Sequence, residues 1–329
     1  MKNRLLLSLF VPVLTLSACA TNVRHEISEY ILQTNYHDNY RILQLTDIHL
    51  GDKDEQDTHF KFMNLTIKDA NPDFIVITGD VFSFASRATA KRLINFFESY
   101  KKPWTITYGN HDEQCLFSID WLSEYMNTKT QYAMYKDILD DNVHGNCNFA
   151  INLMQGNKVF EQLIMVDTNR YYYGDYSGYD FVKQDQIDWY SDLIDFTSAH
   201  TEHDGAVVPS LMFYHIPLPE VDDAIKYATE VNHDAWEYGE QNEKTCPPDY
   251  NSGFFNKIKE KGSTHAMFFG HDHINNFRIT YQGVTFCYGI KSTNLVYYQE
   301  NMMGGQVIVL HNDHTLGYEH IYHTYKEVK

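Results

Sequence analysis

The chain has 329 residues, of which 43% are hydrophobic and 15% aromatic, enough for a substantial core and too apolar for a disordered or collagen-like polymer. Lys and Arg total 26 against 44 Asp and Glu, a formal charge of 26 − 44 = −18, which argues against a broad electrostatic grip on nucleic acid. Any anionic substrate must be attracted locally.

The amino terminus reads Lys2 and Arg4, an apolar stretch from Leu5 to Leu16, then Ser17-Ala18-Cys19, the order of an export signal. The apolar stretch is shorter than the roughly 20 residues that span a bilayer, and Pro12 interrupts it. Leu16-Ser17-Ala18-Cys19 resembles a bacterial lipobox, which implies cleavage before Cys19 and lipid attachment to it. The protein is then expected in the bacterial cell envelope, on a membrane through that lipid or secreted. Loss of Lys2 and Arg4 makes the mature balance 24 − 44 = −20. Residues 19–38 show no strong periodicity and are expected to be a tether, with residues 39–329 as one folded domain. Cys115, Cys147, Cys246 and Cys287 remain; two disulfides are possible outside the cytoplasm, and the absence of a CxxC pair argues against a zinc knuckle.

From Tyr40 the chain alternates short apolar runs with amphipathic stretches. Strands are expected at 40–45, 74–78 and 104–108, with helices between them carrying Phe60, Met63 and Ile67, then Leu93, Phe96, Phe97 and Tyr100. Such βαβαβ order predicts a largely parallel sheet with helices on its faces. Strands follow at 149–153 and 162–166, a Tyr-rich loop from Asn169 to Tyr179, and a helix with Ile187, Tyr190 and Ile194. The remaining strands are at 211–214 and 266–269, the hairpin 277–281 with 284–288, and 307–311. The hairpins suggest a second, mixed or antiparallel sheet. With no linker between halves, the fold class is α/β: two mixed sheets packed in one domain.

Five polar clusters follow these strands at their carboxyl ends, where open α/β sheets place ligand sites. They are Asp47-Ile48-His49, Gly79-Asp80, Gly109-Asn110-His111-Asp112, His215 and Gly270-His271-Asp272-His273. A Gly-Asp pair alone means little; the third and fifth clusters concentrate ligand-type side chains in short Gly-initiated turns. Imidazole, carboxylate and amide without thiol suit zinc, manganese or iron. Asp47, His49, Asp80, Asn110, His215, His271 and His273 supply enough donors for two ions if Asp80 bridges them. Two divalent ions against two carboxylates leave a local charge of about +2, an attraction for phosphate despite the acidic surface.

In order and residue type these clusters resemble the five blocks of the calcineurin-like metallophosphoesterase superfamily, from Arg41 to about Tyr288. The resemblance implies two mixed sheets packed as a sandwich and flanked by helices, a pair of divalent or mixed-valence ions (Fe, Mn or Zn), and a phosphate-ester substrate. It implies one ion on Asp47, His49, Asp80 and His273 and the other on Asp80, Asn110, His215 and His271, with His111 unligated. The run Asn251-Ser252-Gly253-Phe254-Phe255 ahead of Gly270 to Phe277 is similar to the purple-acid-phosphatase-related branch. Purple acid phosphatases carry a tyrosine three positions after the bridging aspartate, where this chain has Ser83, so an iron–tyrosinate colour is not expected.

The mechanism expected is in-line attack on phosphorus by water acidified by the ions, with His111 protonating the leaving alkoxide. Asp112 is read either as orienting His111 or as a helix N-cap. The tyrosines Tyr171, Tyr172, Tyr173 and Tyr176 are read as packing or rim residues rather than site residues. Alternatives are a phosphodiesterase for cyclic nucleotides or glycerophosphodiesters, and a surface binding protein on the same fold.

Overall fold

A computed structural model of the chain describes residues 25–138, 142–174, 177–200 and 206–328. The expected export signal, Cys19 and Tyr176 lie outside these residues. In chain order the first part carries β1 (Ile31–Asn35), β2 (Tyr40–Leu45), α1 (Gln56–Ala70), β3 (Phe74–Thr78), α2 (Arg87–Glu98), β4 (Trp104–Thr107) and α3 (Ile119–Lys129). The middle adds β5 (Phe149–Gln155), β6 (Lys158–Met165), β7 (Tyr171–Tyr173), β8 (Ser177–Tyr179), α4 (Gln184–His200), β9 (Ser210–Phe213), α5 (Glu220–Glu230) and β10 (Trp236–Tyr238). The last part holds α6 (Phe254–Lys261), β11 (Thr264–Phe269), β12 (Arg278–Tyr281), β13 (Val284–Tyr288), β14 (Gly304–Leu310) and β15 (Leu316–Tyr322).

Two mixed sheets pack face to face. One runs β15-β14-β2-β3-β4, the other β1-β5-β6-β9-β11-β13-β12-β10. Within the first, β2, β3 and β4 are parallel neighbours; within the second, β9 and β11 are. Period-2 alternation sorts the larger sheet's side chains. Leu163, Met165, Leu211, Phe213 and Phe268 share a buried cluster with Leu43, Leu45 and Val307 of the other sheet. Ile164, Met212 and Met267 turn the opposite way, onto Leu193 of α4, Val221 of α5 and Ile258 of α6. Both faces of β3, β4 and β9 are covered, so these strands are buried along their whole length, although β4 ends its sheet.

Two expectations are corrected here. Residues 31–35, placed in a tether by sequence, form β1, which pairs parallel with β5 from Ile31↔Ala150 to Asn35↔Met154. An edge strand takes its conformation from its neighbour's backbone groups, so its own side chains need show no periodicity. Tyr36 anchors the exit, its ring stacked 3.9 Å from Phe160. Nor do the carboxyl-terminal hairpins stay together: β12 and β13 join the larger sheet, whereas β14 returns to pair antiparallel with β2 and brings β15 with it. All four described cysteines are free thiols.

The sheets are also clasped by polar groups. His320 of β15 lies 3.8 Å from the Tyr238 ring of β10 and hydrogen-bonds Gln306 Oε1 at 3.1 Å. Burial, then the Arg278 guanidinium, pulls His320 down to about 4 from its ordinary 6.5. Between those values the unfolded chain binds a proton that the folded chain refuses, so this residue's contribution to stability falls as pH drops from 6.5 toward 4. His320→Gln removes that proton site. Denaturant unfolding across the same window is expected to show a shallower loss of stability for the variant than for the parent chain; parallel curves would refute the assignment.

Candidate metal centre

The strand ends deliver the site. Asp47 follows β2, Asp80 follows β3 and Asn110 follows β4, all at the carboxyl edge of one sheet, while His215 follows β9 and His271 and His273 follow β11 at the facing edge of the other. Asp47, His49, Asp80 and His273 are buried and offer one donor atom each, all within 4.8 Å of one another; Asp80, His215 and His271 form a second such group. Asp80 belongs to both. Its Oδ2 stands 3.5 Å from His49 Nε2 and 3.2 Å from His215 Nε2, between the two groups, while its Oδ1 accepts the His111 backbone N–H at 2.8 Å.

Three imidazoles are aimed by what holds their other nitrogen. His215 Nδ1 donates to Thr78 O at 2.8 Å and His273 Nδ1 to Tyr297 O at 2.9 Å, and His49 Nδ1 pairs with Ser83 Oγ at 2.8 Å. Each leaves Nε2 facing the centre, the outer-sphere support usual for metal-binding histidine. The backbone yields as well: Asp47, His49, Asp80 and His271 all have left-handed φ, at 52°, 54°, 46° and 82°. Such residues cost about 1–3 kcal/mol each and cluster at functional sites.

Two glycines permit the approach. At Gly79, with φ 78°, a Cβ would lie 2.4 Å from the His215 ring; at Gly109 a Cβ would lie 2.3 Å from Asp80 Oδ1. The unassuming Gly79-Asp80 pair is therefore a steric requirement of the centre.

Asp47 Oδ1, Asn110 Oδ1, His215 Nε2 and His271 Nε2 are buried without a hydrogen-bond partner in the protein. A lone orphan of this kind costs about 1–3 kcal/mol. Asp47 Oδ1, Asn110 Oδ1 and His271 Nε2, with His215 Nε2 once an ion displaces the proton that Asp80 holds on it, are the donor set that divalent zinc, manganese or iron satisfies, so the residues fit a metal pair. Charge agrees. Burial pushes the Asp47 and Asp80 carboxyls up, but the surrounding imidazoles, with the Lys291 ammonium at Asp47, prevail and hold both below the usual carboxylate range. Burial, then His215, brings His271 down to about 3, and burial holds His49 well below its ordinary range, so both offer a lone pair.

His111 stands beside the groups, its ring 5.1 Å from that of His49. Its Nδ1 donates to Gln114 Oε1 at 2.8 Å, so Gln114 orients the ring. Asp112 does neither thing expected of it. Its carboxylate accepts Phe82 N at 2.8 Å and Gly109 N at 2.8 Å, fastening the loop after β4 to the loop after β3. Burial, then the Asp80 carboxylate, pushes Asp112 up to about 7 against these two donors.

Other neighbours escaped the sequence reading. The β7–β8 hairpin, read as a loop of packing or rim residues, borders the centre directly: Tyr171 Oη accepts from Asn110 Nδ2 at 2.9 Å and Tyr179 lies edge-on to His271 at 4.4 Å. Buried Lys291 donates to Asp47 O at 2.8 Å, and Thr293 to Ile48 O at 2.8 Å, clamping the Asp47–His49 turn. Lys291-Ser292-Thr293 follows β13 as the five clusters follow their strands, and that repetition was the available signal.

Two mixed sheets with a buried Asp/His centre at their shared carboxyl edge define a dimetal phosphoesterase scaffold. The chain belongs to the calcineurin-like phosphoesterase family, whose model matches residues 40–275. Two Arabidopsis thaliana proteins, named Probable inactive purple acid phosphatase 14 and 29, are 27% and 28% identical to it, covering 86% and 87% of this chain and 77% and 79% of theirs. In fold it is similar to a dimetal phosphatase from Danio rerio, with a TM-score of 0.51 at 12% identity over 88% of this chain and 100% of that one.

Gly79→Ala tests the geometry. The added methyl is expected to displace His215 from Asp80 and lower the metal content per folded chain. Full occupancy in the variant would contradict the close approach.

Proposed function

We propose that the protein is a dinuclear metal-dependent hydrolase of phosphate esters, with His111 as general acid. One ion is assigned to Asp47, His49, Asp80 and His273, the other to Asp80, Asn110, His215 and His271. The observation that carries this reading is Asp80 Oδ2, placed between His49 and His215 so that one oxygen faces both groups. Divalent ions bound there supply charge to clamp phosphoryl oxygens and lower the pKa of a water.

The chain's own residues do the rest. Asp80 holds the two halves in register, and its second oxygen fixes the His111 main chain. With Nδ1 committed to Gln114, the second proton of a charged His111 ring sits on Nε2 and is the one available to the ester oxygen. In hydrolysis a P–O bond forms to water oxygen and the ester P–O bond breaks; the proton from His111 ends on the released alcohol, and the water's proton re-protonates the histidine. The Arabidopsis relatives bear the word inactive in their names. Here the complete donor set and an unligated histidine beside it support turnover.

Asp80→Asn is expected to lose metal and activity together. His111→Ala is expected to keep its metal and to slow alkyl esters roughly 10²–10⁴-fold, with a smaller loss for p-nitrophenyl phosphate, whose leaving group needs little protonation. An equal loss for both esters would refute the acid role. Assays on the mono- and bis-p-nitrophenyl esters decide between monoester and diester preference; metal-loaded protein that turns over neither is a binding protein.

The leader pattern ending at Cys19 supports attachment to a bacterial membrane by lipid at that cysteine. Cys19→Ala is expected to shift the protein from the membrane to the soluble fraction. Unchanged sedimentation with membranes would dismiss the anchor.

A further inference from the structure

We propose that the alcohol released at this site is apolar, and that Phe84, Leu116, Leu295 and Val296 form the groove that receives it. The proposal rests on the hydrolytic reading above and names its substrate class: phosphoesters of alkyl or aryl alcohols several carbons in size.

A cavity of about 600 Å³ opens beside the metal centre, and its wall contains His49 and His111 together with those four apolar residues. Its size is that of a small-ligand pocket. Phe84, Leu116 and Val296 are 70%, 75% and 62% exposed, so a contiguous apolar surface faces water at the mouth of a polar site. Patches of that kind mark binding surfaces. Two of the residues are held there at a conformational cost. Phe84 and Val296 have φ of 54° and 64°, left-handed backbone that an aromatic and a β-branched residue rarely adopt.

The same wall also carries Asp52, Lys53 and Asp54. Asp52 accepts Ser86 N at 2.8 Å and Thr89 Oγ1 at 2.7 Å on one oxygen, and Asp54 accepts Gly51 N at 2.6 Å on one oxygen, so each carboxylate is tied to neighbouring backbone and hydroxyl donors. Direction comes from the acid. A proton donor must face the oxygen that leaves phosphorus, so whatever that oxygen carries extends to His111's side, which is this groove. Tyr171 and Tyr179, which border the centre at Asn110 and His271, are not among the residues of the groove wall.

A series of n-alkyl phosphates from ethyl to octyl tests the idea, because the leaving alcohols differ little in acidity and only the apolar contact grows. For the metal-loaded protein kcat/KM is expected to rise roughly twofold per methylene up to about hexyl, a partial version of full methylene burial. Phe84→Asn and Val296→Asn retain a residue that accepts left-handed backbone, and together they are expected to reduce the octyl-to-ethyl ratio by about tenfold. Binding of phenylphosphonate against n-hexylphosphonate separates an aromatic from an aliphatic source. Binding of n-alkylphosphonates, which cannot release an alcohol, followed by calorimetry, gives a readout independent of turnover. Ethyl and octyl phosphate cleaved equally well, or a chain-length slope untouched by the double variant, would overturn the proposal while leaving the hydrolase intact. Failure to cleave any ester, p-nitrophenyl phosphate included, would instead remove the hydrolase reading.

Discussion

Two carboxylates, Asp47 and Asp80, lie out of solvent within a few ångströms of each other and of four imidazoles, and this concentration of lone pairs is what the rest of the molecule accommodates. Like charges at that distance repel strongly in a medium of low dielectric, so the arrangement needs positive charge in its midst. Lys291 supplies part of it from behind, against the Asp47 carbonyl. Metal ions on the two donor groups would supply the remainder. The left-handed residues, the glycines that admit His215 against the β3 turn, and the hydrogen bonds that fix each Nδ1 all press donors closer than ordinary turns allow.

The architecture explains how such a cluster can be rigid. Every donor sits within a few residues of the end of a strand buried on both faces, and those strands belong to two sheets that pack on each other through Leu43, Leu163, Phe213 and Phe268. Neither sheet alone holds a full donor set. Asp47, Asp80 and Asn110 come from one and His215, His271 and His273 from the other, so packing of the sheets and assembly of the centre are the same event. Asp112 extends the principle within one sheet by joining the turns after β3 and β4 through two backbone donors.

The surroundings of the centre are asymmetric. On one side a tyrosine hairpin offers hydroxyl and ring edge; on the other, His111 borders a groove of exposed apolar side chains. Ser83 illustrates how one position alters such a site: where purple acid phosphatases carry a tyrosine, the smaller hydroxyl here reaches only His49 Nδ1 and orients that ring.

Much was legible along the chain. Short β-rich runs followed by Asp, Asn or His gave β2, β3, β4, β9 and β11 with the donors after them, because a buried strand draws mainly on apolar and β-branched residues and a ligand turn must be written in ligand-type residues. Edge strands with mixed faces were not. β1, β10 and β15 have mixed faces and take their geometry from partners far away in sequence. The same holds for what surrounds the donors: that Gln114 rather than Asp112 aims His111, that Lys291 backs Asp47, and that Tyr171 and Tyr179 wall the centre depend on contacts between residues that no local spacing relates. Residue type and strand period settle which groups are offered; only the packing of one sheet on the other settles which atoms meet, since distance across a sandwich is a property of the folded backbone and not of position along the chain.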